Sequence, residues 1–499
     1  MRFTARAHLS KVFGISLLMS LVCLADDPRV SPPNVLLILA DDLGVGDLSG
    51  LNSESKIKTP HVDKLISEGL VFADAHSGSS IGSLSRYGLL TGRYCWRGDP
   101  DCHTMMGFDL PLIPEGRWTL GNLFKRKGYR SAYLGKWGLG LGWITKEGKL
   151  GEWESGYSGT GESLNIDFAK PVKGGPTALG FDYYYGLAGS LDMPPYAYIE
   201  NDTTVGIPYE ISRAGGRSGL TVEGFRVVEV MPNLTDKAVG FLKREAKKVK
   251  ESDEPVPPFF LVVSMTAPHV PFVPTDEFVG STKAGRYGDS VAMMDWSIGQ
   301  ILKSLEKQGF ADNTVVVFTS DNGSAKSNAE MAETYGHHPG GKFRGKKGDP
   351  WEGGHRVPFI VKWPGVVKPG ITNEVVCQTD LFATFAQMLD ISLSENVAED
   401  SLSFYPLLKG ESLEEPFRSS IIHFSPHGRF AIREGKWKLI LPPEKVPAGI
   451  EPSSSGELYN LESDLSEGSN LWQNQPALVE RLRKLLEKYR TLDRTRESS

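Results

Sequence analysis

The sequence predicts an α/β fold: a doubly wound mixed sheet between helices, followed by a smaller C-terminal antiparallel α+β subdomain. Two features of its first part predict the sheet. Continuous apolar runs read as strands buried on both faces, and helical segments with start and stop signals alternate with them. A third feature predicts the subdomain, because beyond residue 375 short strand-like runs follow one another closely.

In chain order, residues 1–25 stand apart. Arg2, Arg6 and Lys11 precede an apolar run over 12–24, and Cys23 and Ala25 place small residues before a cleavage point. This is the pattern of a secretory signal peptide; the alternative is an uncleaved anchor, for which the run is short. The mature protein is therefore expected to be exported, to the periplasm or the extracellular space, with no membrane span. Cleavage would leave three cysteines, of which Cys95 and Cys102 lie near enough in sequence to close a short loop in an oxidising compartment.

The run Asn34–Ala40 ends in Asp41 and Asp42 and reads as a buried parallel strand with acids at its carboxyl end. A helix follows, with Thr59 at the N-cap, Pro60 in the first turn and Gly69 at the stop. Residues 120–127 with Gly128 repeat the helix-then-glycine pattern, and 130–134 follow as a strand. Phe259–Ser264 and residues 314–319 are two more buried strands, with helical spacing over 293–307 between them. This alternation predicts one domain over 33–375, with ligands at the carboxyl ends of its strands. The C-terminal subdomain is expected over 376–490, with helices at 380–389 and 477–489 and strands at 420–424, 429–433, 436–441 and 457–461. Residues 251–258 and 442–455 read as surface loops, and 491–499 as a polar tail.

Composition narrows the function classes. The 499 residues carry 55 Lys plus Arg against 61 acids, a formal charge of -6, so no general nucleic-acid footprint is present. At 40% hydrophobic the chain is too apolar for a disordered one, and four Cys are too few for a disulfide scaffold.

The chemistry clusters at strand ends. Asp41 and Asp42 close one strand; Asp321, Asn322 and Gly323 close another. Three carboxylates and an amide form an oxygen-only set suited to Ca²⁺ or Mg²⁺ rather than zinc. Arg86, Lys136, His269 and Lys347 sit in motif-like settings, and beside a metal they would clamp an oxyanion such as sulfate or phosphate.

These motifs, in this order, resemble the type I sulfatases of the alkaline phosphatase-like superfamily. The resemblance spans nearly the whole mature chain: the opening strand with its two acids, Thr59-Pro60-His61, Ser85-Arg86, Gly135-Lys136-Trp137, Pro268-His269, Asp321-Asn322-Gly323, Trp351-Glu352-Gly353-Gly354, and the late run from Glu457 to Leu461. It implies Ca²⁺ ligation by Asp41, Asp42, Asp321 and Asn322. It implies sulfate binding or proton transfer by Arg86, Lys136, His269 and Lys347, with Ser190 in the pocket wall. The implied partner is a sulfated carbohydrate or an aryl sulfate ester.

One position departs from the family's pattern. Sulfatases carry Cys or Ser at the first place of a Cys-x-Pro-Ser-Arg element, oxidised to formylglycine, whose hydrated aldehyde attacks sulfur. Counting back from Ser85 and Arg86, that place is Gly82, and the Pro place is Leu84. Formylglycine is therefore not expected. Gly138 departs as well, where the family commonly has His. Nearby Ser79, Ser80 and Ser83 are weak nucleophiles without an adjacent base, and a shift of one residue in a helix turns a side chain about 100° away. Two classes of function follow: a sulfatase-fold hydrolase acting weakly or with another nucleophile on sulfate or phosphate esters, or a catalytically silent binder of sulfated glycans. Specificity is expected in loops over 143–177 and 201–233.

Overall fold

A computed structural model describes residues 32–98, 102–151, 165–443 and 455–496. The expected signal peptide lies outside them, as do residues 444–454 of the second surface loop and 497–499 of the tail.

The first half of the chain runs β1 (Asn34–Ala40), α1 (Pro60–Glu68), β2 (Leu70–His76), α2 (Gly82–Thr91), α3 (Leu120–Arg126), β3 (Arg130–Lys136) and β4 (Tyr183–Leu187). Short strands β5 (Ile199–Glu200), β6 (Thr203–Thr204), β7 (Glu210–Ser212) and β8 (Gly219–Thr221) precede α4 (Val230–Glu251). Next come β9 (Phe259–Ser264), α5 (Gly285–Lys307), β10 (Thr314–Ser320), α6 (Asn328–Tyr335), α7 (Glu352–His355), β11 (Phe359–Lys362), β12 (Gly370–Cys377), α8 (Asp380–Met388) and α9 (Tyr405–Leu408). The chain ends with β13 (Ser420–Ser425), β14 (Arg429–Glu434), β15 (Trp437–Ile440), β16 (Glu457–Asn460) and α10 (Pro476–Thr491).

Ten strands form one mixed sheet in the order β12-β2-β11-β10-β1-β9-β3-β4-β5-β6. Its centre is parallel, with β1 hydrogen-bonded to β10 on one side and β9 on the other, while β11 pairs antiparallel with both β10 and β2. Alternation along β1 explains its apolar run. Val35, Leu37 and Leu39 enter a core shared with α2, α3, α8, α10 and the second sheet. Leu36, Ile38 and Ala40 enter another, shared with α1, α4 and α5. Both faces are covered, so every position from Val35 to Ala40 is apolar, and the one polar residue, Asn34 at the start, bonds to Phe259 and Asn313. The fold class expected from the sequence is the one observed.

The second sheet is antiparallel, in the order β13-β14-β15-β16, and α10 packs Leu482 and Leu486 into the core behind it. The large sheet's last strand in sequence ends at Cys377 and the small sheet begins at Ser420. Cys95, Cys102 and Cys377 are all buried. No helix among the described residues is long and apolar enough to cross a membrane.

Several elements differ from the expected ones. Helix α4 extends over 22 residues, and its first turns lie inside the segment expected as loop. Its buried stripe, Leu234, Ala238, Phe241 and Leu242, has helical spacing, but the stripe fades into a charged run that leads straight into the loop after it. Helix α5 starts at Gly285 rather than 293, because Tyr287 and Val291 continue its buried face through a glycine-containing first turn. Strands β2, β11 and β12 were not expected: β11 has four residues and β12 is half-exposed, so neither presents a long apolar run.

Candidate functional site

The acids expected to act together meet at the carboxyl ends of two central strands. β1 and β10 are neighbours with Ala40 opposite Ser320, so Asp41 and Asp321 leave adjacent parallel strands at the same level. In a regular strand successive side chains face opposite ways, which would separate Asp41 from Asp42. Asp42 instead takes φ 69°, in the left-handed region, and this turn brings both carboxylates to the same cluster. The side-chain amide of Asn322 donates to Asp42 Oδ1 at 2.8 Å, and Asp321 Oδ1 accepts from the Asp42 amide at 3.1 Å.

Each carboxylate has its own cation. Lys136, the last residue of β3, places Nζ 2.8 Å from both oxygens of Asp41. Lys347 Nζ lies 2.7 Å from Asp42 Oδ1. Arg86, one turn into α2, donates Nε to Asp321 Oδ2 at 2.9 Å, with Nη2 2.8 Å from the same oxygen. His269, just past β9, stands 3.7 Å from Asp42 Oδ2, and its Nδ1 lies 2.8 Å from the Val270 carbonyl oxygen.

Burial and these cations set the charges. Burial alone would raise the Asp41 carboxyl, but Lys136, His269, Arg86 and Lys347 outweigh it and hold the group well below its ordinary value. Asp42 is likewise lowered against its burial, chiefly by Lys347 and then His269. Asp321 goes the other way: burial raises it beyond what Arg86 offsets. Burial would lower Lys347, but Asp42 and Asp41 raise it, so it stays cationic.

The donor set fits a hard divalent cation. Asp41, Asp42 and His269 present ligand atoms within 4.8 Å of one another. Asn322 Oδ1 is buried with no hydrogen-bond partner among the described residues, an acceptor left open beside the acids. Oxygen ligands dominate, as Ca²⁺ or Mg²⁺ require.

Two glycines face this cluster. A Cβ placed on Gly82, the first residue of α2, would stand 2.5 Å from Asp321 Oδ2 and 3.3 Å from Asn322 Oδ1. A Cβ on Gly138 would meet the stems of Lys136 and Arg86 at 3.3 and 3.6 Å, and Gly138 takes φ 68°. Both positions therefore look into the site and bring nothing to it. The nearby hydroxyls do not compensate. Ser83 Oγ accepts from the Met105 amide at 2.9 Å and Ser79 Oγ donates to the Phe424 carbonyl at 2.8 Å, so both are engaged elsewhere. Ser80 Oγ is buried and, among the described residues, has neither a partner nor a base to activate it. Ser190 is also buried, and its hydroxyl bonds to none of the residues above.

Supporting residues escaped the sequence reading. Ser264, the last residue of β9, accepts from Arg86 Nη1 at 2.5 Å and donates to the Lys136 carbonyl at 2.7 Å, so it fixes two of the cations at once. Gln378 donates to the Ser320 carbonyl at 2.5 Å and accepts from Ser85 at 2.9 Å, tying α2 to the end of β10. Neither lies in a recognisable motif; only position at a strand end hints at Ser264.

A second buried group, His76, Glu352, His355 and His423, also has metal-like spacing. Lys438 already occupies the cation's place, with Nζ 2.9 Å from Glu352, 3.1 Å from His355 Nε2 and 2.8 Å from Glu467. With tautomers assigned from the hydrogen bonds, Lys438 donates to His355, His355 to His76 at 3.0 Å, and His76 to Asp74 at 2.8 Å. Arg356 and Arg433 complete a balance of three cations against Asp74, Glu352 and Glu467. This group is a polar joint between α7, β2 and the second sheet.

Acids with an open amide oxygen, ringed by Lys, Arg and His at the carboxyl ends of a doubly wound sheet, define the class: α/β proteins with a charged site at their strand ends. Residues 33–391 match the family model described as Sulfatase. The chain is 31% identical over 510 residues to the N-acetylgalactosamine-6-O-sulfatase of Bacteroides thetaiotaomicron, covering 92% of this chain and 93% of that protein. It is 32% identical over 400 residues to human N-acetylgalactosamine-6-sulfatase, covering 77% and 67%. A solved Bacteroides thetaiotaomicron structure from work on glycosaminoglycan metabolism superimposes with a TM-score of 0.79 at 30% identity, over 93% of this chain and 100% of that one. A protein crystallised with a neocarrahexaose gives 0.67 at 25% identity, over 93% and 94%. The chain belongs to the sulfatase family.

Proposed function

We propose that this protein binds the sulfate group of a sulfated carbohydrate, with Ca²⁺ (or Mg²⁺) beside it, and lacks turnover by the formylglycine route. The observation that carries this is Gly82: its place opens onto the acids and cations of the site, yet it offers no atom to oxidise or to attack sulfur. Asp41, Asp42, Asp321 and Asn322 would hold the ion, which supplies positive charge to a sulfate oxygen. Lys136, Lys347 and His269 donate to the remaining oxygens, and Arg86 holds Asp321 in place. Lys347 is held cationic by Asp42 and Asp41, which favours a group that stays anionic. The sugar is supported by the names of the relatives, and N-acetylgalactosamine 6-sulfate is the ligand to try first. The basic and apolar run over 2–24 supports export.

The test uses the exported form with Ca²⁺, assayed on aryl sulfate, aryl phosphate and N-acetylgalactosamine 6-sulfate, beside a Gly82→Cys, Leu84→Pro variant made with the maturation enzyme. Expected are sulfated-sugar binding lost with a chelator, and no hydrolysis by the unmodified chain. Hydrolysis by that chain, abolished in Asp321→Ala, would show a working hydrolase and overturn the binding-only function. Activity confined to the double variant would show a scaffold complete except for its nucleophile.

A further inference from the structure

The loop after β4 and the hairpin β7–β8 meet beside His269. Gly215 at the hairpin tip packs so closely on this loop that a Cβ there would stand 1.7 Å from the Leu191 carbonyl. Tyr196 is buried and donates to the Arg217 carbonyl at 2.6 Å, which fixes the tip to the loop. Arg217 then donates Nε to Asp192 Oδ2 at 3.0 Å, and Asp192 Oδ1 lies 3.8 Å from His269 Nδ1. The guanidinium thus stands one carboxylate away from the sulfate-binding imidazole.

The pair is asymmetric. The Asp192 side chain is 13% exposed and that of Arg217 is 51% exposed. An ion pair this open adds about 0–1 kcal/mol to stability, so its main effect is orientation. Asp192 takes the Nε edge of the guanidinium, and among the described residues neither terminal nitrogen has a partner. Two parallel N–H donors held in a fixed plane match a carboxylate in bidentate fashion.

We infer that Arg217 is a subsite for the carboxylate of a uronic acid joined to the sulfated sugar, with Asp192 as its positioning residue. This rests on the sulfate site proposed above. The ligand class is then a sulfated hexosamine–uronate disaccharide rather than one in which the neighbouring sugar is neutral.

Calorimetric titration of the full chain with Ca²⁺ tests it, using three probes: N-acetylgalactosamine 6-sulfate, its disaccharide with a uronic acid, and the methyl ester of that disaccharide. Arg217→Ala should weaken the disaccharide roughly tenfold or more and leave the monosaccharide unchanged. Arg217→Lys, which keeps the charge without the fork, should recover only part of the loss. Esterification should cost the wild type a similar factor and cost Arg217→Ala nothing further. Equal binding of acid and ester by the wild type, or an Arg217→Ala variant that holds the disaccharide as tightly as wild type, overturns the subsite alone. A wild-type chain that binds none of the three overturns the sulfate site and the subsite together.

Discussion

Two missing side chains define the site more than any present one. Gly82 and Gly138 both face the acids and cations, and the φ of 68° at Gly138 means that a side chain there would need a different backbone as well. At Gly82 the space itself has closed: the Asp321 oxygen held by Arg86 occupies the ground a Cβ needs. Gly82→Ala, measured by urea unfolding in a chelator, is therefore expected to lose about 1–3 kcal/mol, since Asp321 must give up part of its bonding to Arg86. The acids were legible in the sequence because each pair directly follows a buried strand, and strand order then brings them together. The turn at Asp42, the bridging hydroxyl of Ser264 and the amide of Gln378 were not. Their partners lie between 58 and 293 residues away, and nothing in a local pattern encodes a contact at that range.

Among the elements, the polar joint under the second sheet has the largest electrostatic stake. Glu352 and Glu467 share the ammonium of Lys438, all fully buried. Burial pushes Glu467 up to about 7 despite Lys438, while Lys438 and the neighbouring imidazoles hold Glu352 well below its usual range against its own burial. The folded Glu467 keeps its proton to a higher pH than the unfolded one, whose ordinary value is 4.5. Its contribution is complete below pH 4.5 and is lost as pH rises through 7. Relative to Glu467→Gln, the wild type should thus lose on the order of 3 kcal/mol between those limits, read from unfolding free energies across pH. Lys438→Met, which takes the ammonium away from the buried carboxylate of Glu352, is expected to cost about 3–5 kcal/mol at pH 7 by the same measurement. Sequence reading located the strands of this sheet because they alternate and follow one another closely. It missed the joint, because a lone His in β2, another in α7 and a third in β13 look like three unrelated core residues.

At the scale of the whole molecule, ion binding and folding should be linked. Three carboxylates held at the strand ends by three cations form a site present only in the folded chain, so a cation taken there stabilises it. Calcium at about 100 times its dissociation constant should add about 2.7 kcal/mol, seen as a melting temperature that rises with calcium. Asp41→Asn should flatten that dependence, and a calcium-independent melting temperature in the wild type would argue against the site. The doubly wound architecture was legible from continuous apolar strands, but the extent of the large sheet was not, since its edge strands are short or half-exposed. The arrangement of its centre also sets a timetable. Among the described residues β1 is the first strand to be made, yet its two neighbours begin at Phe259 and Thr314. Until more than 200 further residues have been synthesised, a strand with six consecutive apolar residues has both edges open and both faces uncovered. Closing such a distant pairing is slow, and the waiting strand is adhesive. The segment that carries Asp41 and Asp42 into the site is thus the one on which newly made chains would misassociate, and the yield of folded protein should depend on how well that strand is shielded while it waits.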